Sequence, residues 1–119
     1  MTVLTGAGLR FEELTGRRSA DPLPPGTSCS MRVVRISPGP RTPHRHPHSI
    51  EVMYVAAGRG TTWEGDVSSA VEPGDVVLVA AGAPHVTVAT GPEELVLVCF
   101  FPHPDLAANT EELAGPVRG

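Results

Sequence analysis

What most constrains this chain is its punctuation. Short apolar, β-branched runs recur along it, and each stops at a cluster of glycine and proline. The run SCSMRVVRIS at 28–37 lies between Pro25-Gly26 and Pro38-Gly39-Pro40, and EVMYVAA at 51–57 is closed by Gly58-Arg59-Gly60. The runs at 67–71 and 76–80 are separated by Glu72-Pro73-Gly74-Asp75. A helix needs a longer uninterrupted stretch with a period of 3.6, which these runs do not offer. Short runs rich in β-branched residues between turn signals read as strands. With further runs at 61–64, 85–89 and 94–101, roughly seven or eight strands follow one another at regular spacing, which predicts an all-β barrel or double-sheet jelly roll. The 13 glycines and 13 prolines supply the turns such a fold needs, and 119 residues suffice for one core but not two.

The ends differ from the middle. Residues 1–26 read as an irregular arm whose Leu9, Phe11 and Leu14 could cover a sheet edge or a partner, residues 27–103 as the barrel, and residues 104–119 as a tail with a short helix beginning near Asp105. In the run 51–57, Glu51, Met53 and Val55 share one face and Val52, Tyr54 and Ala56 the other, so both faces are apolar apart from the glutamate. A strand apolar on both sides must be covered on both, by a second sheet and by either a terminal arm or another subunit. A homodimer burying an outer sheet face is therefore expected.

Charge and composition remove several classes of function. The net charge is −4 and the nine cationic residues, all arginine, are scattered, so the basic stripe that a nucleic acid requires is missing. No apolar run approaches the length of a membrane span, and the first twenty residues lack the pattern of a secretion signal. These features predict a cytoplasmic location, with Cys29 and Cys99 as free thiols.

The chemistry is concentrated in one stretch. His44, His46 and His48 occupy alternate positions just before Glu51, and a fourth histidine, His85, stands apart near Pro84. Imidazoles with one carboxylate suit a divalent transition ion such as Fe, Mn, Ni, Cu or Zn. Alternate residues of an extended strand share a face, and Pro43 and Pro47 bias their preceding residues away from helix. Parity alone does not choose among the three histidines. Glu51 is an odd number of positions beyond His46, so the chain must turn or bulge between Pro47 and Ile50 to bring its carboxylate to the same centre.

At these residues the chain resembles the cupin superfamily, small jelly-roll barrels (double-stranded β-helices) that carry a metal in the barrel mouth. The first motif of that family, G(X)5HXH(X)3-4E(X)6G, is met by His44, His46, Glu51 and Gly58, with Gly39 one residue closer to His44 than the pattern asks. The second, G(X)5PXG(X)2H(X)3N, is met by Gly74, Gly82 and His85, with Ala80 in place of proline and Ala89 in place of asparagine. The motifs span residues 39–89, and the stretch between them is of the short kind found in small bacterial members. The resemblance implies His44, His46, Glu51 and His85 as ligands of one divalent transition metal ion, and places His48 outside the set. His103, between two prolines, reads as a loop residue.

The same resemblance leaves the activity open among three classes. One is a dioxygenase acting on a small metal-chelating substrate such as an enol, thiol or catechol. Another is a redox-neutral isomerase, lyase or polyketide cyclase, and the third is a non-catalytic small-molecule-binding barrel. Aromatic residues are only 4% of the chain, so a small aliphatic cavity is expected, lined by Val33, Met53, Val55, Val77 and Val98. Trp63 and Met31 read as core at least as readily as cavity wall. Arg35 and Arg41 could hold an anionic substrate, although solvated side chains are the simpler reading.

Overall fold

The computed structural model describes residues 1–119. Its strands are β1 (Phe11–Leu14), β2 (Arg17–Ala20), β3 (Ser30–Ile36), β4 (His44–Arg45), β5 (Glu51–Ala57), β6 (Gly60–Glu64), β7 (Val67–Val71), β8 (Val76–Val79), β9 (His85–Ala89), β10 (Leu95–Phe101) and β11 (Glu111–Glu112). They form two antiparallel sheets: a six-stranded one in the order β1-β2-β3-β10-β5-β8, and a five-stranded one in the order β11-β4-β9-β6-β7. The two sheets bury one core, to which the first contributes Ile36, Val55 and Leu97 and the second Val71 and Ala89. The fold is the jelly-roll barrel expected from the strand spacing.

Local chemistry explains the boundaries. Gly58 ends β5 with φ of 78°, a left-handed conformation that costs a glycine little, and a side chain there would run into the Glu94 carbonyl. That steric demand is the reason a glycine closes the first motif. β9 is buried at all five positions because β4 and β6 flank it and the other sheet covers it.

The N-terminal arm departs from the irregular reading. Phe11–Leu14 and Arg17–Ala20 pair as a hairpin around Gly16, and the hairpin extends the six-stranded sheet through the Ala20–Val33 pair. Its sequence, FEELTGRRSA, is too charged to signal a strand, and its order comes from docking on β3, where Ser19 and Ala20 become buried. The C-terminal helix is a single 3-10 turn, Ala107–Asn109, after which Glu111 and Glu112 pair with Arg45 and His44.

The phase of two strands also differs from the expected cavity lining. β10 sets Cys99 opposite Met53 and Val98 opposite Tyr54, so Cys99 and Leu97 face inward while Val98, with its partner Val33, lies on the outer face. Alternation is a property of a strand by itself, whereas its phase is chosen by the strand beside it. Met53 does line the cavity, Val55 belongs to the core with the half-buried Val77 packed against it, and Val34, Leu97 and Cys99 stand where Val33 and Val98 were expected. Trp63 is no part of the cavity wall, and the Arg118 guanidinium stacks on its ring at 4.0 Å. No helix is long and apolar enough to cross a membrane.

Candidate metal centre

His44 lies on β4 directly opposite His85, the first residue of β9. Glu51 is the first residue of β5 in the other sheet, and His46 is carried on the link between β4 and β5. That link turns at Pro47 and His48, with the Ser49 amide donating to the His46 carbonyl at 3.4 Å, and so His46 and Glu51 are buried side by side. The turn is the one that the odd spacing required. One nitrogen from each of His44, His46 and His85 and one carboxylate oxygen of Glu51 all lie within 4.8 Å of one another. The three imidazole centroids are 4.5 to 5.3 Å apart.

His46 and His85 are held from behind. His85 Nδ1 donates to the Ala83 carbonyl at 2.8 Å, and His46 Nδ1 donates to the Asn109 carbonyl at 3.1 Å. Each therefore turns Nε2 toward the same atom, Glu51 Oε1, at 2.7 Å from His85 and 3.5 Å from His46. A metal-binding histidine is held in this manner, with one ring nitrogen on a carbonyl and the other bare.

The electrostatics suit a cation at the point of convergence. Burial alone would push the Glu51 carboxyl up, but the imidazoles of His46 and His85 outweigh it and hold Glu51 well below the usual carboxylate range. Burial lowers His44 well below its ordinary value, and the neighbouring His85 adds to this. Burial likewise opposes the charged form of His85, yet the contact with Glu51 raises it. His44 Nδ1 and His46 Nε2 are buried with no hydrogen-bond partner. Orphaned buried nitrogens beside an ionised buried carboxylate are costly unless a positive charge completes the set. Three nitrogens and one oxygen fit a divalent transition ion, and this cluster could bind one.

The cluster lies in the wall of a cavity of about 760 Å³, which also takes in Met53, Thr87, Cys99 and Phe101. Arg41 belongs to the same wall, and the solvated reading of it is overturned: its residue is 6% exposed. One guanidinium nitrogen donates to the Thr87 carbonyl at 2.5 Å, and its Nε has no partner. Burial, with the nearby Arg17, pushes its pKa down to about 10. Backbone pairing with Arg118, at 2.7 and 2.9 Å, carries Arg41 into this position. Arg35 does remain at the surface, where it pairs with Glu94.

Two other histidines stay outside. The ring of His48 is not part of the cluster, and its backbone amide donates to Asn109 Oδ1 at 2.8 Å. His103 is a loop residue whose Nδ1 accepts from the Asp105 amide at 3.2 Å. Sequence reasoning missed Asn109 and Thr110. A polar pair in a tail predicted to be a short helix gives no signal of its own, although an asparagine 1% exposed so near the chain end is a structural oddity.

Comparison with known proteins agrees with the geometry. Residues 32–101 match a family profile described as a cupin domain. No curated protein matches the chain. Among solved structures it is similar to the Lactobacillus farciminis oxalate decarboxylase formate complex, with TM-score 0.76 and 23% identity over 90% of this chain. The chain spans 34% of that enzyme. It is also similar to a predicted oxalate decarboxylase from Thermotoga maritima, with TM-score 0.76 and 18% identity, covering 84% of this chain and 97% of that one. For KdgF from Halomonas sp. the values are 0.72 and 19%, covering 86% and 95%. Identities this low carry the fold and not the activity.

Proposed function

This chain belongs to the cupin family, and on that premise we propose that it is a metal-dependent enzyme acting on a small, anionic, metal-chelating substrate. His44, His46, Glu51 and His85 are the proposed ligands. The observation that carries the proposal is the convergence of His46 Nε2 and His85 Nε2 on Glu51 Oε1, each imidazole pinned at Nδ1 by a carbonyl, in the wall of a cavity large enough for a small ligand. These four side chains would hold the ion, and the cavity beside them would admit the substrate to it. The ion, when bound, supplies Lewis acidity and, where the metal is redox-active, an electron to exchange.

The first reading of the reaction is a dioxygenase using an enol, thiol or catechol-like substrate. The protein's own residues would then bind and shield: Met53, Leu97 and Phe101 exclude water, and Arg41 holds the anionic end of the substrate. The second reading is a redox-neutral lyase, isomerase or cyclase. Arg41 favours it, because a buried guanidinium stabilises negative charge developing on a carboxylate or enolate without any change of oxidation state. Protein purified without oxygen decides between them by metal content and by oxygen uptake with a panel of small enols, thiols and dicarboxylic acids. Substrate-dependent uptake supports the first reading. Turnover of a carboxylic acid without uptake supports the second, and tight binding with no turnover leaves a non-catalytic barrel.

We also propose a homodimer in the cytoplasm. The outer face of the six-stranded sheet exposes Tyr54, Val76, Leu78 and Phe100, all more than 40% open, and its strands carry Val33 and Val98 on the same side. A second copy could cover the apolar patch formed by these residues through a two-fold axis. Both cysteines are free, as suits a reducing compartment. Light scattering tests the assembly, and a strictly monomeric mass overturns it.

A further inference from the structure

The link between the metal cluster and the C-terminal turn lies outside the residues matched by the family profile, which end at Phe101. We propose that the turn at residues 105–110 is the positioning device of the centre, with Asn109 and Thr110 holding His46 in the one tautomer that presents a bare Nε2 to the metal. The proposal rests on the reading of His44, His46, Glu51 and His85 as ligands.

The argument is a count of protons. Thr110 Oγ1 donates its single proton to the Leu106 carbonyl at 2.7 Å. Toward His46 Nδ1, 3.2 Å away, the hydroxyl can therefore only accept. The Asn109 carbonyl, 3.1 Å from the same nitrogen, is also an acceptor. Two acceptors facing one ring nitrogen place the proton on Nδ1, and the neutral imidazole then has its lone pair at Nε2. That is the nitrogen which is buried and unpartnered beside Glu51. The edge of the Phe101 ring, 4.7 Å away between centroids, confines the imidazole from another side.

Asn109 acts twice. Its carbonyl faces His46, and its side-chain oxygen accepts from the His48 amide at 2.8 Å, so one residue clasps both ends of the turn that carries the chain from His46 toward Glu51. The 3-10 turn that presents Asn109 is itself closed by the Asn109 amide on the Leu106 carbonyl at 2.9 Å and by the Ala108 amide on Asp105 Oδ1 at 3.2 Å. Loosening this clasp frees the imidazole to rotate or change tautomer without removing any ligand. In metal sites the partner of the non-ligating nitrogen affects affinity by roughly 10- to 100-fold.

The test uses the full chain, freed of metal and titrated with Co²⁺, followed by calorimetry and by visible absorption of the bound ion. Thr110→Val keeps the shape and removes one of the two acceptors, Thr110→Ser restores it, and Asn109→Ala keeps the backbone carbonyl but removes the side-chain tie to the His48 amide that holds it in place. The expected result is Co²⁺ binding weakened roughly 10- to 100-fold with an altered absorption band in Thr110→Val and Asn109→Ala, and wild-type behaviour in Thr110→Ser. A turn that serves only stability would lower the melting temperature and leave the band and affinity alone, which would overturn the proposal. Should Asn109→Ala not fold, the threonine pair decides the matter. Nitrogen-15 spectra of the Zn²⁺-loaded chain give a second reading: His46 protonated at Nδ1 supports the proposal, and His46 protonated at Nε2 overturns it. A wild-type chain that takes up no Co²⁺ overturns the ligand assignment, a different failure from wild-type binding unaltered in the variants.

Discussion

His85 Nε2 lies 2.7 Å from Glu51 Oε1, across the space between two sheets, while the opposite nitrogen of the same ring donates to the Ala83 carbonyl. A neutral imidazole arranged in this way would set its lone pair against a carboxylate. A proton or a metal ion resolves the conflict, and a metal would also take up the free nitrogens of His44 and His46. Glu51→Gln removes the charge with little change of shape, and His85→Ala removes a ligand. Both are expected to lose stoichiometric divalent metal, measured by elemental analysis after dialysis. Full occupancy in both would refute the ligand set.

His48→Ala is the matched control. Its ring is outside the cluster and its only assigned contact is through the backbone amide, which alanine keeps. Metal content should equal that of the wild type, and loss of the ion would place His48 among the ligands.

Arg41 gives a prediction about ligands. A buried guanidinium whose Nε lacks a partner should bind a carboxylate strongly, so malonate or another small dicarboxylate should raise the melting temperature of the metal-loaded protein. Ligand at a hundred times its dissociation constant stabilises by about 2.7 kcal/mol. Arg41→Leu should abolish the dicarboxylate-dependent shift while retaining metal. An equal shift in that variant would remove Arg41 from the binding site.

Gly58→Ala should destabilise the fold by several kcal/mol, roughly the sum of a left-handed alanine at about 1 kcal/mol and displacement of the Glu94 carbonyl at about 1 to 3 kcal/mol. Urea unfolding of the metal-free protein measures this without interference from the ion. A loss below about 0.5 kcal/mol would show that the β5 turn can relax.

A pH dependence follows from Glu94. The Arg18 guanidinium at 3.0 Å, against a small opposing effect of burial and with help from Arg35, holds its carboxyl below the ordinary value. A carboxyl whose folded pKa is depressed stabilises the fold above its unfolded pKa, and that contribution disappears as pH falls through the folded value. The melting temperature of the wild type should therefore exceed that of Glu94→Gln at pH 7 by a small, salt-sensitive margin, since the pair is exposed. The margin should close as pH falls through the depressed value of Glu94, and a constant gap would assign the effect to packing.

Much of this was legible in the residues. The runs 51–57 and 67–71 are strands with the expected limits, and the turn at Pro47 was required by the odd spacing of His46 and Glu51. The charged hairpin at 11–20 was not legible, because its order depends on β3 and not on its own propensity. Neither was the role of the tail, since a helix-like PDLAANTEEL carries no mark of what it will touch.

The sequence by itself determined where strands stop, which residues alternate, and the spacing that brings three histidines and a glutamate within reach of one ion. These are local properties, fixed by backbone geometry over a few residues. Tertiary structure decided what depends on distant partners: which face of β3 and β10 turns inward, that Arg41 is buried against Thr87, and that Asn109 closes on His46 from 63 residues away. A strand has a period but no phase until a neighbour is laid beside it, and a polar side chain has no assigned partner until the chain has folded back to supply one.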